Sequence, residues 1–314
     1  MSFTKILRTV AVTLILILIA GFYTLELKRN WAALQNFKLV INTYYLVIAL
    51  SLCILSSLLE TYIWEITINR YLVQRQLSFP RSIAIVNGSS LLKYLPGRIW
   101  MYTAQLSLLK KYDISKSKIL YVNLICIIGS ITVSLYFGFI YLGLYTDLIN
   151  HNLFIFSMLI LILFNILYVK FNDKLMNIMI ALVNKYFNKN IQPMPSSTSM
   201  LINIQVMYVF SWLLAAVAGY YLVKGIGLTT SSMTIFSLLA SMSLSWVAGY
   251  LAVVTPGGLG VREGVMLLML NHVVDVQTVL LFPIVSRILL LLAEAFLGLL
   301  ALLIGIRWNV FSYE

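Results

Sequence analysis

The sequence predicts an all-α polytopic membrane protein: six full spans plus two broken re-entrant helix pairs, in two inverted repeats, with both termini in the cytoplasm. Three observations carry this. Of 314 residues, 61% are hydrophobic and 10% charged, mean hydropathy is +0.95, and several apolar runs approach the length that crosses a bilayer. Two Pro-Gly interruptions, Pro96-Gly97 and Pro256-Gly257-Gly258, break apolar stretches, and the run before the first, Ser82–Leu95, is too short to span comfortably. Basic residues gather in alternate loops, as the positive-inside rule requires. The alternation of a β-barrel is absent.

The first repeat is expected over residues 1–150. Its first span is Thr9–Leu27, behind Lys5 and Arg8; this resembles a signal peptide, but no small-x-small cleavage site with a soluble chain follows, so it reads as a retained helix. The second span, Thr43–Ile66, carries Glu60 and Glu65 near its end, with Glu60 the deeper. After Arg70, Arg75 and Arg81 comes a broken pair over 82–109, with Lys93, Pro96, Gly97, Arg98 and Trp100 at its tip. Lys110, Lys111, Lys116 and Lys118 precede the third span, Ile119–Tyr145.

The second repeat is expected over 151–314. Its first span is Leu153–Val169. Residues 172–189 are amphipathic: Leu175, Ile178, Met179, Leu182 and Val183 recur at helical spacing among Lys174, Lys185 and Lys189, which predicts a helix lying in the membrane interface. A linker with Pro193 and Pro195 leads to the span Ser199–Val223. A second broken pair covers 231–270, and the last span, Val276–Ile306, contains Pro283, Arg287 and Glu294. Three spans per half is an odd number, so the halves must be oppositely oriented, a transporter design in which interrupted helices meet near the midplane.

The interruptions hold the candidate site. Non-helical backbone survives at membrane depth only when buried in protein or lining a polar cavity, and an intramembrane charge marks function by default. Helix N-termini bind anions. The helix starting near Gly260 carries Arg262 and Glu263 in its first turn, and the helix starting near Gly97 carries Arg98. Arginine's fork suits phosphate. The candidate substrate-binding residues are Lys93, Pro96, Gly97, Arg98, Trp100, Pro256, Gly257, Gly258, Gly260, Arg262, Glu263, Arg287 and Glu294. Lys93 has the alternative of snorkelling to the interface. Glu263 has that of stabilising its helix end, and Arg287 with Glu294, seven apart on one face, that of a structural ion pair.

Pro256-Gly257-Gly258-Leu259-Gly260 followed by Glu263 resembles the proline-glycine-glycine-x-glycine-x-x-glutamate signature of the lysylphosphatidylglycerol synthase transmembrane family. This is also called the flippase-like domain family, which includes the YbhN-like proteins and the membrane half of the multiple peptide resistance factor. Tyr94 to Trp100 resembles an earlier motif of that family. The resistance factor also carries a soluble synthase domain, and none follows Glu314 in this sequence. What the resemblance implies is therefore lipid translocation rather than aminoacyl transfer.

The expected function is a flippase moving an anionic phospholipid or a polyprenyl-phosphate-linked lipid between leaflets of the cytoplasmic (inner) membrane. One alternative is a membrane-embedded transferase using a lipid-linked donor; Glu26, Asp147 and His151 on the outward loops stand far apart for that. Another is a non-transporting partner of a lipid or glycan synthase, a glycosyltransferase included. A homo-oligomer is also open. No catalytic constellation is evident, and the reading calls for no enzyme activity and no cofactor. Cys53 and Cys126 read as core residues, and His151 and His272 lack further ligands at metal spacing. The net charge of +12 is scattered through short loops rather than gathered on one soluble face, which argues against nucleic acid and for anionic head groups.

Overall fold

A computed structural model describes residues 40–72, 76–94, 99–112, 114–146, 149–187, 195–228, 233–252, 255–271, 274–308 and 310. The described chain is all helical: α1 (Thr43–Asn69), α2 (Phe79–Ser90), α3 (Ile99–Leu108), α4 (Lys116–Tyr145), α5 (His151–Phe187), α6 (Thr198–Gly225), α7 (Ile235–Leu251), α8 (Val261–Leu270) and α9 (Val276–Arg307). Short 3-10 turns lie at Leu91–Tyr94, Lys110–Tyr112 and Pro256–Gly258. Among the described residues five helices are long and apolar enough to cross a membrane: α1, α4, the His151–Lys174 part of α5, α6 and α9. These match five of the six expected spans, and the protein is a multi-pass membrane protein. The sixth, Thr9–Leu27, lies outside the described residues.

Helix starts follow local chemistry. Asn42, Ser115, Ser197 and Asp275 each accept from a backbone N–H in the first turn of α1, α4, α6 and α9, and Thr234 with Ser237 forms a reciprocal box at the start of α7. Pro80 falls in the first turn of α2, where its missing N–H costs nothing.

One expectation needs correction. Within the described residues the amphipathic segment does not start a helix of its own: α5 runs unbroken from His151 to Phe187, about 55 Å at the usual rise per residue. No proline or glycine interrupts it, and its polar residues are held in place. Asn172 Nδ2 donates to Tyr121 Oη (2.8 Å) and Ser196 Oγ (2.6 Å), and Asp173 accepts from the Ser196 N–H and hydroxyl. The Tyr71 hydroxyl donates to the Pro195 carbonyl at the same pole, and burial, with Tyr121 beside it, pushes that phenol up, which keeps it a donor. Only 11% of the membrane-crossing part of α5 is buried, so this helix is the lipid-facing flank of the bundle.

The centre is the antiparallel pair α1–α6. At one pole Asn42 N–H donates to the Gly225 carbonyl; at the other, Tyr71 reaches Pro195. Between them Ser56 and Ser211 meet, each at the same position counted from the start of its helix. Their hydroxyls lie 3.0 Å apart, and each also points at the other's carbonyl, at 2.9 and 3.5 Å. Around this axis the packing is reciprocal: α2 lies on α9 and α1, and α7 on α4 and α6. The Leu91–Tyr94 turn touches the Pro256–Gly258 turn.

Candidate functional site

The two turns meet beside a cavity of about 330 Å³ walled by both halves of the chain. It lies about halfway along the long helices, level with Ser56 on α1, Ser211 and Trp212 on α6, and Ser286 to Glu294 on α9.

The glycine-rich turn is built by backbone conformation. Gly257, Gly258 and Gly260 have φ of 60°, 73° and 80°, a left-handed path that side chains resist. Gly258 also passes against Gly249 on α7, where an added Cβ would lie 2.8 Å from the Gly249 Cα. A Cβ on Gly249 would in turn overlap the stem of Arg262. These glycines let the turn fold back onto α7 and let Arg262 run along that helix to the cavity wall.

Charge then fixes the turn. Glu263 Oε2 accepts from the Gly260 N–H at 2.6 Å, which caps α8, while Oε1 faces Arg287 Nε at 4.0 Å. Arg287 Nη2 donates to the Gly257 carbonyl at 2.9 Å. Two turns further along α9, Glu294 takes Lys93 of the opposite turn at 2.6 Å. Lys93 therefore points into the protein rather than out to the interface. Arg287 and Glu294 do share a face of α9, but each pairs with a different turn rather than with the other.

The cavity brings together Lys93, Gly257, Arg262, Glu263, Arg287 and Glu294 of the expected site. Gly258 and Gly260 shape the turn behind it. Pro256 opens that turn. Trp100 stands apart: it is 54% exposed at the start of α3, and the cavity wall passes instead through Met101, Tyr102 and Gln105. Pro96, Gly97 and Arg98 lie outside the described residues.

The wall also takes in Glu60, already marked as the deeper of its pair, and polar and aromatic residues from the other helices. Glu60 accepts from the Ser211 hydroxyl at 3.3 Å. Asn87 Nδ2 donates to the Thr61 hydroxyl, and Asn123 Nδ2 to Gln105 Oε1, both at 2.9 Å. Trp212 meets Trp246 edge-on, Trp246 stacks on Tyr250, and the Tyr250 and Tyr102 hydroxyls lie 3.1 Å apart, joining α7 to α3. Asn87, Gln105 and Asn123 were visible as amides within apolar runs, but nothing local says that they share a wall.

A family model described as the lysylphosphatidylglycerol synthase TM region matches residues 6–298. The chain belongs to that family. No match is found among curated proteins. In this member of the synthase TM family the glycine-rich turn lies at one wall of the cavity, and membership of that family suggests a membrane-lipid-related role.

Proposed function

We propose that the protein is a lipid transporter that moves an anionic phospholipid, or a polyprenyl-phosphate-linked lipid, between leaflets of the cytoplasmic membrane. One observation carries this reading: two interrupted segments, one from each half, meet at a charged cavity halfway along the spans. A cavity there suits a head group in transit, and Lys93, Arg262 and Arg287 supply its phosphate partners.

The same contacts support two inverted repeats. Exchanging α1 with α6, α2 with α7, α3 with α8 and α4 with α9 turns the principal helix contacts into one another, and Ser56 and Ser211 sit on the axis of that exchange. In this reading each broken pair re-enters from its own side. The first begins beside the Asn69 end of α1, where Asn69 Nδ2 donates to the Leu77 carbonyl and Asn69 Oδ1 accepts from the Leu77 N–H. The second begins at the far end of α4, where Phe236 packs on Tyr141 and Tyr145. Rocking of one repeat against the other about the central serines would expose the cavity to either leaflet.

The test is a flipping assay. Purified protein in liposomes containing a head-group-labelled phospholipid should make inner-leaflet label reachable by an outside quencher. Arg262→Ala and Lys93→Ala should slow this at least tenfold while the proteins remain folded by tryptophan fluorescence. Wild-type rates in both variants would remove the cavity from the transport path.

A further inference from the structure

On the transport reading above, the charges on the cavity wall set the cost of binding a lipid phosphate. Among the described residues these are three cations, Lys93, Arg262 and Arg287, and three carboxylates, Glu60, Glu263 and Glu294. With Glu60 ionised these described groups balance. A lipid phosphodiester adds one negative charge, and an uncompensated charge in a low-dielectric site is costly. Among these groups, one further positive charge would offset it.

The carboxylates are not equivalent in their capacity to receive it. Glu263 is committed to the cap of α8 and faces Arg287. Glu294 holds Lys93 at 2.6 Å. Glu60 differs from both: its described partner is a neutral hydroxyl, Ser211, at 3.3 Å, and no cation lies within ion-pair distance among the described residues. Ser211 is itself engaged with Ser56. Glu60 is accessible, and its accessibility is to the cavity, whose wall it forms. The matching position on α6 is Ala215, also in the wall, so this carboxylate has no counterpart in the other half.

The groups facing Glu60 come from every neighbouring element. Lys93 lies on the first turn, Arg262 on α8 and Glu294 on α9, all within electrostatic reach. Tyr208 on α6 and Cys126 on α4 line the same cavity, as does Cys53 two turns back on α1. The facing side chain from α2 is the neutral Asn87, bonded to Thr61.

We infer that Glu60 takes up one proton as a lipid phosphate enters the cavity and gives it up when the lipid leaves. The step forms one O–H bond on the Glu60 carboxylate, with the proton drawn from water, and involves no redox change. Protonation removes a negative charge that would repel the phosphate from Lys93 and Arg262 across the same space. Proton and lipid then bind cooperatively, and by linkage each strengthens the other. The described groups, lipid and proton included, then carry the same net charge as the empty site.

The experiment uses the full chain in detergent with dioctanoyl phosphatidylglycerol, a phosphodiester whose charge is constant between about pH 5 and about pH 9. Two quantities are read: affinity against pH, and proton uptake by a pH dye in weak buffer. Wild-type affinity should fall about a hundredfold or more as pH rises across that window, with uptake peaking at about 0.8 proton per lipid bound in the middle of that fall. Glu60→Gln should bind with the low-pH affinity throughout and take up no proton. Glu65→Gln, at a carboxylate on the same helix outside the cavity wall, should keep the uptake. The inference is overturned if wild type binds without proton uptake, or if Glu60→Gln retains it. Absence of phosphodiester binding by wild type at every pH would instead overturn the transport reading, so the two failures are distinguishable.

Discussion

The two turns that meet at the cavity are held by different physics. The Pro256–Gly258 turn is fixed mainly by its own backbone: three left-handed glycines, a glycine-to-glycine contact with α7 and a glutamate capping the helix that follows. The Leu91–Tyr94 turn is tethered through side chains, with Lys93 on Glu294 and Leu91 seated against Gly298. Both tethers end on α9, which also sends Arg287 to the Gly257 carbonyl. A backbone-built turn has few alternative shapes. A turn held by an ion pair can exchange that partner for a phosphate. The second turn thus reads as the fixed wall of the site and the first as its adjustable one.

If that contrast is right, damage to the fixed wall should cost stability first. The largest effect is expected for Arg287→Met, which strips the buried Glu263 carboxylate and the Gly257 carbonyl of their cation; loss of one member of a buried pair costs about 3–5 kcal/mol. Adding Glu263→Gln to that variant should recover part of the loss, a coupling read from thermal unfolding in detergent. Gly258→Ala comes next, at about 2–4 kcal/mol, from left-handed strain together with the clash on Gly249. Gly264→Ala is its control: a Cβ there meets nothing within 4 Å, so stability should stay level or rise by about 0.5 kcal/mol. Equal losses in both glycine variants would mean that the turn is not backbone-built.

The parts legible in the sequence were those written in local chemistry. Span lengths follow from apolar runs, and α1, α4, α6 and α9 begin or end within a few residues of expectation. Gly257, Gly258 and Gly260 announced a turn because few other residues tolerate such φ values. What stayed hidden is which face of each helix looks inward. Helices that are apolar all round carry little periodic signal, so nothing marked Trp64 and Trp212 for the cavity or turned Trp100 away from it. Pairing was equally invisible: Lys93 and Glu294 are 201 residues apart. Only the folded chain selects Glu294 for Lys93 and leaves Arg287 to the other turn.

Damage to the adjustable wall should instead spare stability and touch transport. Lys93→Met combined with Glu294→Gln removes the pair without stranding the Glu294 carboxylate, which is only 8% exposed, so the expected cost is about 1–2 kcal/mol. Flipping should nonetheless fall at least as far as in Lys93→Ala. A stability loss as large as that of Arg287→Met, with transport retained, would reverse the roles given to the two turns.

The smallest effect should come from the hydroxyl pair that joins the walls. Tyr102 and Tyr250 meet at 3.1 Å between α3 and α7, and both line the cavity, so removing one hydroxyl leaves the other able to find water. Tyr102→Phe should then cost only about 0.5–1 kcal/mol. Its informative readout is kinetic. If the first segment must shift against the second during each cycle, loosening this contact lowers the barrier to that shift, and flipping should run faster than in wild type. A slower rate at unchanged stability would mean that the two hydroxyls contact the lipid head group. The adjustable wall would then extend past Lys93 along α3 to the edge of α7.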